Sequence, residues 1–413
     1  MRLQFAVAAC LAALILAGMM GHSQAATRYD HGRWWDGTEF VEGSRFVVDG
    51  RFVDAVPDGD FEIVDLQGQY VIPPYAEAHN HNLQNPWLAG RFSEAYVDAG
   101  ILYALMMCGN GQTRAATLDA LAETPLQVEL ASACVTSSDG HPLRMALQPP
   151  HEGAEPPKPE DILDQTLIAM DSPDEVEGKW PLVKATEANL VKIVMVHGED
   201  ESRRGKDRYF GVNGLRYDVV RKLVPYLQSR GLRVAAHVES ATDFAVAVEA
   251  GVDIIAHIPG YHWWDGHGAD SYRLGSSAVA RAAEQETYVI TTASVVDLFV
   301  DADDEQRDKV RALQKENLAH LRKAGVPVII GSDRFDADVL TEHEYLQGLD
   351  VFTPKELFNM LTRDTARAIF PGRSVGRLAV GHEASFLVLT ENPLENPAAL
   401  RDLEKRVVKG RTL

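Results

Sequence analysis

From residue 73 to residue 372 the chain keeps returning to one arrangement. A short, almost unbroken apolar run is followed by a longer stretch whose apolar positions recur every three or four residues. The runs fall at 75–81, 101–107 (ILYALMM), 126–135 (LQVELASACV), 189–195 (NLVKIVM), 232–238 (LRVAAHV), 252–258 (VDIIAHI), 287–294 (TYVITTAS) and 326–333 (VPVIIGSD). Helical periodicity appears between them, as in YDVVRKLVPYLQSRG, TDFAVAVEAG and the charged segment 304–324 that stops at Gly325. Strands that are apolar on both faces need cover on both faces, which is the habit of parallel sheets with crossover helices. Eight such units in roughly 300 residues predict an α/β protein with a (β/α)8 TIM-like barrel. An open doubly wound sheet is the alternative, but no Gly-x-Gly-x-x-Gly turn follows the first strand.

The ends of the chain have a different pattern. Between residues 28 and 72, short β-rich runs alternate with turns, and Asp49-Gly50 inside SRFVVDGRFVDAV is a hairpin signal. The tail segments VGRLAVGHEASFLVLT and KRVVKGRTL read the same way. The expected organisation is a barrel over 73–372 and a small β-sandwich domain assembled from 26–72 and 373–413.

Composition narrows the class. Hydrophobic residues make up 46% and charged residues 24%, enough apolar material for a sizeable core in a soluble protein. A net charge of −20 without a basic cluster argues against nucleic acid as a partner. Residues 1–25 join one Arg, a long apolar run and Ser23-Gln24-Ala25, the pattern of a cleaved signal peptide. The mature chain is then expected to be secreted, in the periplasm, with no further membrane span. The length of the run from Leu3 to Met20 leaves an uncleaved anchor as the alternative. Export permits a bridge between Cys108 and Cys134, yet both end apolar runs, where a buried free thiol is the commoner outcome.

Ligand-type residues collect at the ends of the predicted strands. His79 and His81 close the first, Lys192 lies in the fourth, His237 and His257 end the fifth and sixth, and Asp333 ends the eighth. Barrel chemistry sits at the C-terminal ends of strands. Polar groups buried together at one mouth need a common partner, and a divalent metal ion would serve as one.

With these residues in place, the chain resembles the metal-dependent amidohydrolase superfamily, in particular its prolidase-like and imidazolonepropionase-related branch. The resemblance rests on the His-x-His strand, LVKIVMVHG, AAHVESATDFAVAVEAGVDIIAHIPG, GVPVIIGSD and the closing VGRLAVGHEASFLVL. It implies two divalent metal ions, with zinc the expected element from imidazole and carboxylate donors. His79 and His81 would bind one ion and His237 and His257 the other, with Asp333 as ligand and catalytic base. Lys192 would bridge both as N6-carboxylysine, because an ammonium offers no lone pair to a metal. One departure stands out. The family's first motif ordinarily carries Pro-Gly and an Asp ahead of its histidines, whereas this chain has Pro74 and Glu77.

The implied activity is hydrolysis of a C–N bond (amide, cyclic amide or dipeptide-like) in a small substrate by a metal-bridged hydroxide. Asp333 would take the proton and pass it to the leaving nitrogen. In TSSDGHPLRM, His141 is a candidate to polarise the scissile carbonyl. Tyr209, Tyr261 and Trp263 are candidate substrate contacts, alongside Trp264 and one of Arg203, Arg204 and Arg208. The same site would also serve a lactone, ester or carbamate. A catalytically silent binding protein is the rival class, against which the full set of six ligands argues. Association into a homo-oligomer stays open.

Overall fold

The computed structural model describes residues 26–55, 61–149, 153–301 and 304–413, so the signal peptide expected over residues 1–25 lies outside the described residues. The chain divides into two compact units, one running from Pro74 to Gly376 and the other combining residues up to Pro73 with Arg377–Leu413. Five strands precede the larger unit: β1 (Ala26–Trp35), β2 (Phe40–Val48), β3 (Arg51–Val53), β4 (Phe61–Asp65) and β5 (Tyr70–Ile72). Val48 pairs with Arg51 across a two-residue turn in which Asp49 and Gly50 both have positive φ, +49° and +73°. That is the geometry a tight hairpin requires of this dipeptide.

The larger unit is an α/β assembly of parallel strands. β6 (Tyr75–Asn80), β7 (Ile101–Met106) and β8 (Gln127–Leu130) form a three-stranded sheet. A second sheet contains β9 (Cys134–Thr136), β10 (Leu167–Ala169), β11 (Leu190–Val194), β12 (Arg233–His237), β13 (Ile254–Ile255), β14 (Tyr288–Ile290) and β15 (Val328–Ile329). Its order is β10-β9-β11-β12-β13-β14-β15. Backbone hydrogen bonds also cross between the sheets. The Ala78 N–H donates to Ile330 O at 3.0 Å, the Asp333 N–H to His79 O at 2.8 Å, and the Ser132 N–H to Leu190 O at 2.9 Å.

Two expectations about strands need correction. The run 126–135 is not one strand but two, β8 and β9, placed in different sheets. Small residues 131–133 carry the step, with Ala131 bonded back to Met106 and Ser132 forward to Leu190. The three-residue strand β10 was also too short to show a period in the sequence.

The helices bury the expected faces. Helix Tyr217–Gln228 hides Val219, Val220, Leu223, Val224 and Leu227 along one stripe. Helix Glu305–Ala324 ends where Gly325 takes φ +78°. The core joins residues from most strands, among them Ala78, Tyr103, Leu105, Leu190, Ala235, Ile254, Ala256, Ile290 and Ile329. No helix of the described residues is long and apolar enough to cross a membrane.

Cys108, just beyond β7, is disulfide-bonded to Cys134 at the start of β9, with Cα atoms 4.7 Å apart. This corrects the expectation of free thiols, which had no way to see that the ends of two strands lie side by side. The bridge closes a loop with a sequence separation of 26 residues. Removing it with Cys108→Ala and Cys134→Ala should cost about 3 kcal/mol of stability on loop-entropy grounds, read as a lower denaturant midpoint. An unchanged midpoint would mean that the cross-link contributes no stability.

The tail supplies β16 (Phe386–Leu389), β17 (Leu403–Val408) and β18 (Arg411–Thr412) to the smaller unit. Its strands form one eight-stranded sheet in the order β18-β17-β16-β5-β1-β2-β3, with β4 branching from β1, where the sequence reading expects a sandwich. β1 is responsible for the branch. Its first half pairs in parallel with β4 and its second half with β5, on either side of a bulge between Tyr29 and Gly32. Trp34, Phe52 and Phe386 fill the core at ring separations of 5.5–6.1 Å, and Tyr29, Leu66, Val71 and Val407 pack around them.

Candidate metal centre

Alternation along each strand decides which side chains share a face. His79 follows Glu77, Lys192 follows Leu190 and His237 follows Ala235, each two residues on. Donor atoms of His79, His81 and Asp333 all lie within 4.8 Å of one another. His79 Nε2 and His81 Nε2 stand 3.5 and 3.4 Å from Asp333 Oδ1, and His257 Nε2 stands 3.7 Å from Asp333 Oδ2. The His257 ring lies 4.6 Å from that of His79 and 4.5 Å from that of His237. Lys192 is 2% exposed, and its Nζ has no hydrogen-bond partner among the described residues.

The outer ring nitrogens are occupied. His79 Nδ1 lies 2.9 Å from Ala256 O, His81 Nδ1 lies 3.3 Å from the Gln84 amide oxygen, and His257 Nδ1 lies 2.9 Å from Thr292 Oγ1. A carbonyl oxygen can only accept, so His79 and His81 carry the hydrogen on Nδ1 and turn a bare lone pair at Nε2 toward Asp333. Burial, reinforced by the neighbouring Lys192 charge, holds His79 well below its ordinary pKa and brings His81 down to about 4. Both rings are therefore neutral at pH 7, and their lone pairs converge on Asp333 Oδ1, where an ionised carboxylate sets lone pair against lone pair. A cation resolves that opposition, so the donor set fits a divalent metal.

Burial also lowers Lys192 and raises Asp333, while each partner's charge resists the change in the other. The orphaned Lys192 nitrogen is costly as an ammonium in such surroundings. Asp333 takes φ +52°, and its N–H is held by His79 O. Glu77 ties β6 to the segment after β15, accepting from the N–H of His79 (3.0 Å) and from the N–H and hydroxyl of Ser332 (2.9 and 2.6 Å). Burial outweighs those bonds and pushes its pKa up to about 8.

The remaining candidates are placed unequally. His141 stacks on His237 with centroids 5.0 Å apart, and burial takes its pKa down to about 3. Tyr261 is buried, with its ring 5.3 Å from that of His257. Trp263 turns into its own loop, stacking on Tyr272 and donating to Gly260 O at 3.0 Å. Tyr209 sits farther out, 6.4 Å from the Trp264 ring. Of the three arginines, Arg204 pairs with Asp139 at 3.3 Å. Arg203 is 1% exposed, with its guanidinium 4.4 Å from the Tyr209 ring and 4.6 Å from that of Trp264. Sequence reasoning offers Arg203 only as one of three arginines for the substrate, and overlooks Gln84, Thr292 and Glu239. Only Glu239 left a trace, lying two residues past His237 and so on the same face.

Residues 191–413 match the family described as "Amidohydrolase family". No curated protein matches the chain. Among solved structures, the chain is similar to a prolidase complexed with N-methylphosphonate-L-proline, at 18% identity over 94% of this chain and 99% of that one, with a TM-score of 0.70. It is also similar to a Xaa-Pro dipeptidase with bound methionine, at 18% identity over 94% and 100% of the two chains and a TM-score of 0.72. A third likeness is to A. niger ochratoxinase, at 16% identity over 94% and 95%, with a TM-score of 0.72.

Proposed function

The chain belongs to the amidohydrolase family and is a hydrolase of carbon–nitrogen bonds, and from that premise we propose that it is a binuclear metal enzyme. Its substrate on this reading is a small amide, cyclic amide or dipeptide-like molecule. The observation that carries the proposal is the convergence of imidazole nitrogens on Asp333, 3.4–3.7 Å away, beside a buried amine without a partner among the described residues.

His79, His81, His237, His257 and Asp333 would hold the ions, together with Lys192 in carbamate form. Divalent ions bound there, zinc being the expected element, supply the Lewis acidity that makes water and a carbonyl reactive. The protein's own groups would do the rest. Asp333 accepts a proton from the attacking water and returns it to the leaving nitrogen. His141, stacked against His237, would polarise the incoming carbonyl. Tyr261, buried beside His257, would contact the substrate.

An apolar substrate arm is supported by the exposed rings nearest the site. Phe335 is 48% exposed and stacks 6.3 Å from His81, while Phe299 is 53% exposed and lies 5.9 Å from Tyr261. The two parallel sheets read as the staves of one (β/α)8 barrel, supported by the hydrogen bonds that cross between them. The branched terminal sheet, wrapped on its aromatic core, reads as the small β-sandwich domain. Export to the periplasm rests on the leader sequence.

Metal analysis of the purified protein should return about two divalent ions per chain, and a panel of N-acyl amino acids, Xaa-Pro dipeptides and hydantoins should contain a substrate. Protein that takes up no ion would end this reading. Turnover of lactones with silence on every amide would move the reaction to C–O bonds.

A further inference from the structure

Glu239 is a charged side chain only 7% exposed, two residues beyond His237. Its Oε1 lies 3.2 Å from His237 Nε2 and accepts from the Tyr261 hydroxyl at 3.2 Å, while its Oε2 accepts from the Trp264 indole N–H. Three groups from two strand ends thus converge on one carboxylate.

An ionised carboxylate only accepts, so the hydrogen of a neutral His237 must sit on Nε2, leaving the lone pair on Nδ1. This reverses His79 and His81, whose Nδ1 carries the hydrogen; in those two and in His257 it is Nδ1 that meets an oxygen and Nε2 that faces Asp333. Those three are held by a backbone carbonyl, an amide oxygen and a hydroxyl. Only His237 is held by a charge, and charge-assisted hydrogen bonds are the stronger kind.

We propose that Glu239 is a positioning residue. It fixes His237 in the Nε2–H tautomer with Nδ1 turned to the metal, and by sharing its carboxylate with Tyr261 and Trp264 it ties that ligand to the loop after β13. The inference rests on the metal reading above. It extends that reading by naming the group that sets one ligand's ring, and by making the aromatic loop part of the same unit.

The test uses three variants of the full chain. Glu239→Ala removes the acceptor. Glu239→Gln keeps an oxygen for His237 but turns an N–H₂ toward Trp264. Trp264→Phe removes only the indole donor. Nitrogen-15 spectra of the metal-free protein, labelled in histidine, should show His237 as Nε2–H in the wild type, in Glu239→Gln and in Trp264→Phe, and as a tautomer mixture in Glu239→Ala. In competition with a chelator, Glu239→Ala should hold metal 10- to 100-fold more weakly, the range expected when a ligand loses its supporting hydrogen bond. Glu239→Gln should recover most of that loss. An Nε2–H signal and wild-type metal retention in Glu239→Ala would overturn the proposal and reduce Glu239 to a loop anchor. Wild-type protein that binds no ion, with the tautomer still released in Glu239→Ala, would overturn the metal reading and leave the tautomer lock standing.

Discussion

Asp333→Asn is expected to lower turnover by roughly 100- to 10,000-fold, with the fold intact. Asparagine is the informative replacement for two reasons. It has the same shape, and like aspartate it tolerates the left-handed backbone, φ +52°, that this position adopts. The N–H to His79 O bond therefore survives, and what is lost is the charge and the ability to take up a proton. In metal-free protein the same change should not lower the unfolding temperature, because an amide N–H can donate to the imidazole nitrogens that now face only carboxylate oxygens. Steady-state kinetics beside a thermal melt of the apo form would separate the two effects. A rate within experimental error of the wild type would show that another group carries the proton.

Lys192→Met should act in opposite directions on metal and on stability. If the amine becomes a carbamate that bridges two ions, its removal should drop the content from about two ions per chain to one or fewer, and activity should go with it. Apo protein should gain, because methionine is unbranched and fills the same space without the polar Nζ that lacks a partner among the described residues. Relief of one such buried group is worth about 1–3 kcal/mol. Added bicarbonate should raise metal occupancy in the wild type and leave the variant unchanged. Full metal content in Lys192→Met, or a destabilised apo form, would remove Lys192 from the site.

Much of the architecture was legible because parallel strands are covered on both faces, so LVKIVM, VAAHV and IIAHI stand out as unbroken apolar runs. Their closing polar residues could then be projected to a common end. The structure does bring His79, His81, His257 and Asp333 together there, with the His237 ring next to that of His257. The step between β8 and β9 was illegible because a change of partner strand at residues 131–133 leaves no gap in hydrophobicity. The pairing of Cys108 with Cys134 depends on which strand ends are neighbours, a property of the sheet and not of either segment. Gln84, Thr292 and Glu239 were missed for a related reason. What matters about them is which ring nitrogen they meet, and spacing along the chain cannot specify that. Arg203 sits in a stretch of mixed charge, and its burial is accounted for by the rings of Tyr209 and Trp264 beside its guanidinium and by its hydrogen bonds to Asn213 Oδ1 and Val212 O.

In the smaller unit, β5 and β16 are hydrogen-bonded neighbours although some 300 residues of chain separate them. During synthesis this sheet can only be finished late. Strands β1 to β5 leave the ribosome first, but they must wait, with their aromatic side chains uncovered, until the whole intervening unit and the segment carrying Phe386 and Val407 have emerged. The order of birth and the order of folding are thus reversed for about the first ninth of the described chain, and a chaperone has a definite interval in which to hold it.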